Sequence, residues 1–363
     1  MENEELIDLE GTAGIDRASL LKRIAAGGAA LSIPALLEAQ KAVAAPALPA
    51  GGGGGNYPSH PKWKFVFVNH VTTNSFFVPT QYGAADACAL VKCTYTWTGS
   101  ATSSVGEMIN AFNAAISSKA AGIAVSVIDT KAFEAPIKRA LGKGIPVVSY
   151  NADGARGGTK ARLAYIGQAL YDSGFAMGQR IAKLVPKGDV ALFIATPGSL
   201  NIQPRIDGAI AAIKASGKPI NAKVVPTDAE QSKEPGLIDA YYLGHKKLKG
   251  MFAVDAGDTQ GVGQIIQKHA LKGKVKGGGY DLLPGTLKLI SQGFLDFTID
   301  QQPYLQGFYP VLQLFLYKLS SGLVAPSDTN TGLLFVTKAN VKPYLTTKTR
   351  YEGSSSKQKY PVS

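Results

Sequence analysis

The stretch HVTTNSFFVPTQYG, residues 70–83, places an amide and two adjacent aromatic rings directly after the apolar run 65–68. Successive side chains of a strand point to opposite faces, so both rings cannot enter the same layer from one strand. An amide can hydrogen-bond to hydroxyl groups, and an aromatic face can cover the C–H face of a small ligand. Asn74, Phe76 and Phe77 are therefore candidate binding residues at the end of a strand. The alternative is that both rings belong to the core.

Polar side chains also follow the other apolar runs of the sequence. They are Asn151 in SYNADG, Arg205 in NIQPR, Asp255 in FAVDAGD, Asp281 in GGYDLLP and Gln301 in FTIDQQP. The set contains amides, carboxylates and one guanidinium but no catalytic grouping, which is typical of a pocket for a neutral polyhydroxy ligand. Asn151 would also suit a turn, and Arg205 a surface ion pair. Asp255 and Asp281 could instead cap the following helices, and Gln301 could bond only to backbone.

Short β-branched runs alternate with helix-like segments from residue 62 onward. KFVFVN and GIAVSVI are typical of the strands, and SVGEMINAFNAAISSKA has apolar residues at helical spacing. Short, almost wholly apolar strands with intervening helices predict parallel sheets covered on both faces, and right-handed crossovers make each sheet doubly wound. Two such sheets can be counted. Because ligands of these sheets bind outside the carboxyl ends of the strands, the polar residues above are expected to line a cleft.

Composition places the chain among soluble globular proteins. Of its 363 residues, 45% are hydrophobic and 18% are charged, which suits about two domains. The formal net charge is +12, but the basic residues are scattered and none of their runs is interleaved with aromatic residues. We therefore expect a solvated basic surface and no nucleic-acid partner.

The first 61 residues differ from the rest of the chain. Arg17, Lys22 and Arg23 flank the apolar stretch IAAGGAALSIPALL, and Ala42 and Ala44 have the spacing of a signal-peptidase site. This pattern predicts an export signal over residues 1–44 and hence an exported protein in the periplasm or on the cell-envelope exterior. Residues 45–61, with GGGGG at 51–55, read as a flexible glycine-rich tether. The alternative is a disordered N-terminal tail.

The sequence contains only two cysteines, Cys88 and Cys93 in CALVKC. In an oxidising compartment, two neighbouring cysteines favour a local disulfide, and we predict one here. Two buried free thiols are the alternative. The two cysteines and the four scattered histidines have no metal-ligand spacing, so neither a metal nor a cofactor is expected.

Six motifs in order make the chain similar to a known family. They are HVTTNSFFVPTQYG, AVSVIDTKAFEAPIKRALGKGIPVVSYN, IQPRIDGAIAAI, FAVDAGDTQGVGQII, GGGYDLLPGTLKLI and FTIDQQPYLQG. Over roughly residues 60–345 the chain resembles the type I periplasmic sugar-binding proteins, the ribose-binding-like solute receptors of ABC importers. The resemblance implies two α/β lobes that close over a ligand, joined by three hinge segments near 165–168, 299–303 and 330–333.

The resemblance also implies the extent of each lobe. The N-terminal lobe would comprise residues 62–166 and 302–331, and the C-terminal lobe residues 167–301 and 332–345. Residues 346–363 would then form a polar basic tail.

The family's ligand contacts match the candidate residues one by one. Asn74 would bind a hydroxyl, and Phe76 and Phe77 would sandwich the sugar. Arg205, Asp255, Asp281 and Gln301 would contact the ligand from the second lobe and the hinge, and Asn151 from the first lobe. The family often has Asp followed by Arg where this chain has Asn151 and Ala152, which predicts a smaller ligand such as a pentose or a polyol. Gln168 and Trp97 are expected as hinge and packing residues.

The resemblance implies a monomeric, non-enzymatic binding protein that delivers its ligand to an ABC permease. A first alternative is a lactose-repressor-type transcription regulator, which would need a helix-turn-helix before residue 60. A second is a glycoside-processing enzyme with Asp255 and Asp281 as its acid and base. The sequence has no G-x-G-x-x-G motif, no phosphate-binding loop and no G-x-S-x-G motif, which argues against the common α/β enzymes.

Overall fold

The computed structural model describes residues 56–153 and 161–346. The proposed export signal, the glycine run of the tether and the tail after residue 346 lie outside the described residues. Within those residues, every helix is too short or too polar to cross a membrane.

Strands and helices alternate along the described chain. The strands are β1 Lys64–Asn69, β2 Thr94–Gly99, β3 Gly122–Val127, β4 Val147–Asp153, β5 Tyr165–Gly167, β6 Gly188–Ile194, β7 Ile220–Pro226, β8 Gly250–Ala253, β9 Lys276–Tyr280, β10 Phe297–Asp300, β11 Thr329–Asn330 and β12 Leu334–Val336. The helices are α1 Val78–Leu90, α2 Val105–Ser117, α3 Thr130–Gly142, α4 Leu170–Leu184, α5 Gln203–Ala215, α6 Glu234–Gly244, α7 Ala256–Lys268, α8 Pro284–Gln292, α9 Leu305–Leu319 and α10 Lys342–Thr346. A 3-10 helix, Ser75–Phe77, precedes α1.

The strands form two six-stranded sheets, as the sequence predicted. The first has the order β11-β5-β4-β3-β1-β2 and the second the order β12-β10-β9-β8-β6-β7. All neighbours are parallel except β12, which pairs antiparallel with β10. In β3 and β4 every residue is buried, because helices cover both faces of a parallel sheet. Each sheet with its helices forms one lobe.

The chain passes between the two sheets three times. It leaves the first sheet after β5, returns to the first lobe between β10 and α9, and leaves again between β11 and β12. The crossing segments, residues 168–169, 301–304 and 331–333, are close to the predicted hinge positions. The carboxyl ends of the parallel strands lie beside these crossings, so the residues that follow the strands meet between the lobes.

Two helices of the second lobe, α4 and α5, touch backbone to backbone. A Cβ atom added at Gly174 would overlap the carbonyl oxygen of Arg205 and lie 2.6 Å from its Cα. A Cβ at Gly208 would in turn lie 2.7 Å from the backbone nitrogen of Phe175. These glycines therefore allow the close approach that fixes where the first turn of α5, and with it Arg205, is placed.

We predict that Gly174→Ala destabilises the protein by about 1–3 kcal/mol or more, because the added methyl group meets backbone that cannot rotate away. The free energy of unfolding in urea measures the loss. The matched control is Gly142→Ala at the end of α3, where a Cβ would meet nothing within 4 Å. Equal stability of the two variants would contradict this account of the α4–α5 contact.

The predicted disulfide is absent, and Cys88 and Cys93 are both free and buried. The backbone N–H of Cys93 donates to the Cys88 carbonyl at 2.8 Å and closes the end of α1, where Lys92 has φ +54°. The Cys93 thiol is directed at the Val91 carbonyl, 3.4 Å away, instead of at the other sulfur. Burial raises the pKa of Cys88 to about 12, which keeps it in the protonated form. The alternative of two buried thiols is the one that the structure shows.

Candidate ligand-binding site

Arg205 is the charged centre of the space between the lobes. It lies in the first turn of α5, and only 2% of its surface is exposed. One terminal nitrogen donates to the Val254 carbonyl at 2.8 Å, and the other donates to Gln168 Oε1 at 3.2 Å. The guanidinium also lies over the Tyr280 ring, 4.0 Å from its centroid. Its buried Nε has no partner among the described residues, so the guanidinium keeps an N–H donor there for a ligand.

Asp281 comes directly after β9 and is buried beside this guanidinium. Its φ is +75°, a left-handed conformation that aspartate adopts more readily than most residues. Oδ1 accepts a hydrogen bond from Gln301 Nε2 at 2.7 Å. Burial raises the pKa of Asp281 to about 7, and the charge of Arg205 and the Gln301 hydrogen bond oppose the rise. Asp281 does not cap the following helix, because the cap position of α8 is Leu283.

Asn151 faces the same region from the first lobe. It lies in β4 where the β3–β4 register shifts, and its φ is +63°. Its Nδ2 donates to Gln306 Oε1 at 3.1 Å, and Gln306 Nε2 donates to Gln301 Oε1, also at 3.1 Å. Asn151, Gln306 and Gln301 are each at most 5% exposed. The amides therefore connect a strand end of the first lobe to Asp281 of the second.

Each of the three crossing segments contributes a side chain to this network. Gln168 of the first crossing donates to the Gly332 carbonyl of the third at 3.1 Å. Thr331 of the third donates to the Gln301 carbonyl of the second at 2.7 Å. Gln306 Nε2 approaches Thr331 Oγ1 to 3.2 Å. The hinge and the buried polar site therefore share one set of hydrogen bonds.

Asp255 caps α7. Oδ1 accepts from the Asp258 backbone N–H at 2.9 Å and Oδ2 from the Ala195 N–H at 3.3 Å. Burial raises the pKa of Asp255, and these hydrogen bonds and the charge of Arg205 oppose the rise. The carboxylate is thus a helix cap, the alternative weighed from the sequence, and it lies close enough to Arg205 to interact electrostatically.

The Asn-Ser-Phe-Phe segment forms the 3-10 helix before α1. Asn74 Oδ1 accepts from the Phe76 N–H at 2.9 Å and caps this helix. Phe76 and Phe77 are buried in an apolar cluster that also includes Ala256 and Leu283 of the second lobe. Their rings meet edge to face at 4.7 Å. The rings thus lie at the boundary of the lobes and belong to an apolar core cluster, the alternative weighed from the sequence.

The structure brings four of the predicted site residues into one buried region: Asn151, Arg205, Asp281 and Gln301. Asn74 lies apart from their hydrogen bonds and lines an outer cavity of about 950 Å³ between the lobes. Gln306, an amide in a mostly apolar helix, was not among the residues predicted from the sequence. Its signal was the motif FTIDQQPYLQG, in which only Gln301 was selected.

A contact between the lobes involves residues that were not predicted from the sequence. His70 Nε2 lies 3.1 Å from Asn201 Nδ2 of the second lobe, and Nδ1 lies 3.0 Å from Ser126 Oγ. Burial lowers the pKa of His70 to about 3, so the ring is neutral at ordinary pH. Nε2 then accepts from Asn201, and Nδ1 carries the hydrogen that Ser126 accepts. Nearby, the Leu200 N–H donates to the Ile128 carbonyl at 3.2 Å, so the lobes are in contact.

Comparison with known proteins agrees with this geometry. The periplasmic binding protein domain family matches residues 65–318. The xylose/arabinose-binding protein XylF of Sulfolobus acidocaldarius is 53% identical over 318 residues, which cover 84% of this chain and 78% of that protein.

Solved structures of solute-binding proteins are also similar to this chain. An ABC-transporter solute-binding protein of Burkholderia graminis C4D1M in complex with D-arabinose is 26% identical, with a TM-score of 0.72 over 78% of this chain and 97% of that one. A carbohydrate transporter structure from Acidothermus cellulolyticus 11B with myo-inositol has a TM-score of 0.72 at 24% identity, covers 81% of this chain and 100% of that one, and shows the fold alone.

These matches confirm the predicted fold and resemblance. The matched family consists of binding proteins, which confirms the prediction that the chain is not an enzyme. Two parallel-sheet lobes, three crossings and a buried polar site between the lobes are what this family uses to enclose a solute. The chain therefore belongs to the periplasmic binding protein family.

Proposed function

We propose that the protein captures a small neutral sugar, foremost an aldopentose such as xylose or arabinose, and delivers it to an ABC permease. The observation that carries the proposal is the buried set formed by Asn151 of the first lobe and Arg205 and Asp281 of the second. A relative with 53% identity is named for xylose and arabinose binding, and a structural neighbour with 26% identity holds D-arabinose. The ligand would close the cleft by contacting both lobes.

The chemistry of the set suits a neutral ligand with several hydroxyl groups. Arg205 offers N–H donors, ionised Asp281 accepts, and the amide of Asn151 does both. Because the site holds a positive guanidinium and a carboxylate that interact electrostatically, a charged ligand would be repelled by one of them. Hydroxyl groups satisfy both without adding charge to a buried site.

Supporting roles are proposed for the remaining candidates. Gln301 would orient Asp281 and could also contact the sugar. Phe76 and Phe77 would cover a C–H face of the sugar, and Asn74 would bond to a hydroxyl at the edge of the cleft. Asp255 would affect ligand binding indirectly, by capping α7 and by interacting electrostatically with Arg205. The proposed lobes are those delimited from the sequence, residues 62–166 with 302–331 and 167–301 with 332–345.

The cellular setting is part of the proposal. The family is that of exported receptors, which supports an exported protein with residues 1–44 as its signal. The closed receptor would present a surface made of both lobes to the permease, as a monomer and without nucleic acid. The basic surface would remain solvated.

A thermal-shift screen of the chain from residue 56 tests the proposal. Pentoses, hexoses and four- to six-carbon polyols would each be added. The family often has Asp followed by Arg where this chain has Asn151 and Ala152, which favours the smaller of these compounds. A sugar at 100 times its dissociation constant should add about 2.7 kcal/mol of stability. We expect a pentose to give the largest shift. If a polyol gives the largest shift, the polyol replaces the pentose as the proposed ligand. If none of these compounds shifts the melting temperature, the sugar proposal is overturned.

We predict that Asn201→Ala lowers the sugar affinity about 3- to 10-fold, because it removes one hydrogen bond that only the closed lobes make. Calorimetric titration measures the change. The matched control is Asn221→Ala, since the Asn221 side chain bonds within the second lobe to Asp189. If Asn201→Ala binds as tightly as the control, the His70–Asn201 contact does not contribute to closure.

A further inference from the structure

A second group of acidic side chains lies behind the proposed sugar site. Glu234 is the first residue of α6, Asp255 caps α7, and Asp258 lies in the first turn of α7. One carboxylate oxygen of each lies within 4.8 Å of the others. Glu234 is 2% exposed and Asp258 is fully buried, so water cannot solvate these charges. Neither Glu234 nor Asp258 is among the predicted sugar contacts.

Two oxygens of this acidic cluster, Glu234, Asp255 and Asp258, have no partner. Glu234 Oε2 and Asp258 Oδ1 are buried without a hydrogen bond to any described residue. The other oxygen of Asp258 accepts from Thr227 Oγ1 at 2.7 Å. The neighbouring base, Lys233, pairs with Glu230 at 2.7 Å instead of with the cluster. Among the described residues, neither Glu234 nor Asp258 forms an ion pair with a basic side chain, and Arg205 acts on Asp255 electrostatically without an ion-pair contact.

The backbone around the cluster accommodates the Glu234 side chain closely. A Cβ atom added at Gly257 would overlap the Glu234 carboxylate, so a glycine between the two aspartates is what lets this side chain approach them. The unpaired oxygens are thus held in place by packing at the start of both helices. Burying an unpaired carboxylate costs several kcal/mol, which must be offset by a proton or by a bound cation.

Ca²⁺ and Mg²⁺ differ in how far from their oxygen ligands they lie and in how readily they lose water. Oxygens that bind one Ca²⁺ lie about 2.3–2.6 Å from it, so two of them can be up to roughly 5 Å apart. For Mg²⁺, at about 2.0–2.1 Å, the limit is near 4.2 Å. The three oxygens lie within 4.8 Å of one another, close enough for one such cation to contact all three after at most a small adjustment. Ca²⁺ is favoured because Mg²⁺ usually keeps several of its waters, which a buried cluster has little room to hold. Carboxylate and hydroxyl oxygens are also the hard ligands that such cations prefer.

We propose that Glu234, Asp255 and Asp258 bind a hard divalent cation, with Ca²⁺ preferred, in the second lobe. The cation joins the first turns of α6 and α7. It also neutralises most of the charge that otherwise accumulates there. The outer cavity is lined by Lys233 and Pro235, the two chain neighbours of Glu234, so a cation approaching through it would reach the cluster from that side. The cluster's competing occupant is the proton, since burial and the neighbouring acids raise the pKa of Glu234 to about 9.

Calorimetric titration of the full chain, stripped with EDTA and then freed of chelator, tests the site. We expect one Ca²⁺ per chain, a higher melting temperature with Ca²⁺ than without, and weaker binding of Mg²⁺. Glu234→Gln and Asp258→Asn should each lower the Ca²⁺ affinity at least about tenfold, which is about 1.4 kcal/mol. Glu230→Gln, an exposed carboxylate of the preceding loop, is the control and should leave the Ca²⁺ affinity unchanged.

Two results would overturn the cation site. One is that neither Ca²⁺ nor Mg²⁺ binds to the unmodified chain. The other is that both variants bind Ca²⁺ as the unmodified chain does, which would identify an adventitious ion elsewhere. If neither cation binds, a proton on Glu234 offsets the burial instead. Glu234→Gln should then leave the melting temperature without cation unchanged or raise it, because the amide replaces a protonated acid. The titrations need no sugar, so their result is independent of the proposed ligand.

Discussion

Arg205→Ala is expected to lower the sugar affinity by about 30- to 1,000-fold, the equivalent of about 2–4 kcal/mol. The change removes the Nε–H, a buried donor of the guanidinium that has no partner among the described residues. It also leaves the Val254 carbonyl and Gln168 Oε1 without the hydrogen bonds that they accept from Arg205. Asp281 would lose the neighbouring positive charge. Calorimetric titration with the best pentose measures the affinity.

The control for this change is Arg180→Ala. Arg180 is also in the second lobe, but its guanidinium lies over Phe297 and Phe335, 5.2 and 4.7 Å from their ring centroids, away from the cleft. The control should keep the affinity of the unmodified protein. Should Arg205→Ala fold and still bind within about threefold, the guanidinium would not be a ligand contact.

Asp281→Asn is expected to weaken sugar binding about 10- to 100-fold at pH 8. The substitution replaces a charged hydrogen-bond acceptor with a neutral one, and hydrogen bonds to a charged acceptor are roughly twice as strong. Asparagine suits this test since it adopts the left-handed conformation of residue 281 and can still accept from Gln301. Titration at pH 8 compares the two proteins. An unchanged affinity would assign Asp281 to the hinge alone.

The same carboxyl group predicts how binding depends on pH. The pKa of Asp281 in the folded protein is about 7, and its aspartate value in an unfolded chain is about 3.9. If the sugar bonds to the ionised form, affinity falls as the pH is lowered through 7, and this fall should be smaller in Asp281→Asn.

The stability of the ligand-free protein changes with pH in the opposite direction to the sugar affinity. A carboxyl whose pKa is raised by folding contributes its full stability below the unfolded pKa and loses that contribution as the pH rises towards 7. The melting temperature of the unmodified protein should therefore fall relative to that of Asp281→Asn between about pH 4 and pH 7. Parallel curves for the two proteins would contradict a raised pKa at this residue.

The architecture could be predicted from the sequence because its strands are short, apolar and separated by helices. That pattern has one solution, parallel sheets covered on both faces, and it also predicts that Arg205 and Asp281 meet at a cleft. Element ends were less certain. The start of α7 is not marked in the sequence, and the structure places it at Ala256 because the Asp255 carboxylate caps the helix there.

Other residues could not be assigned because their roles depend on what lies across the cleft. Gln306 is one amide among several in its motif, and only the fold shows that its side chain is fully buried between Asn151 and Gln301. His70 and Asn201 are 131 residues apart and meet only when the lobes close. Asn74 was expected at the ligand, but its oxygen is used by a local 3-10 helix. Spacing along the chain does not encode these contacts.

The cysteines illustrate a second limit. Their five-residue separation allowed either a disulfide or two thiols, and the choice depends on how α1 ends. The turn at Lys92 brings Cys93 back to the Cys88 carbonyl while its thiol bonds to backbone. A single residue's conformation decides the outcome, and sequence patterns rarely specify one φ angle.

A crystal structure of the protein grown with its best pentose tests the central claim most directly. We expect the sugar in the buried region, with hydroxyl groups within hydrogen-bond distance of Asn151 from one lobe and of Arg205 and Asp281 from the other. A sugar bound instead in the outer cavity beside Asn74, or one that contacts a single lobe, would contradict capture by these residues.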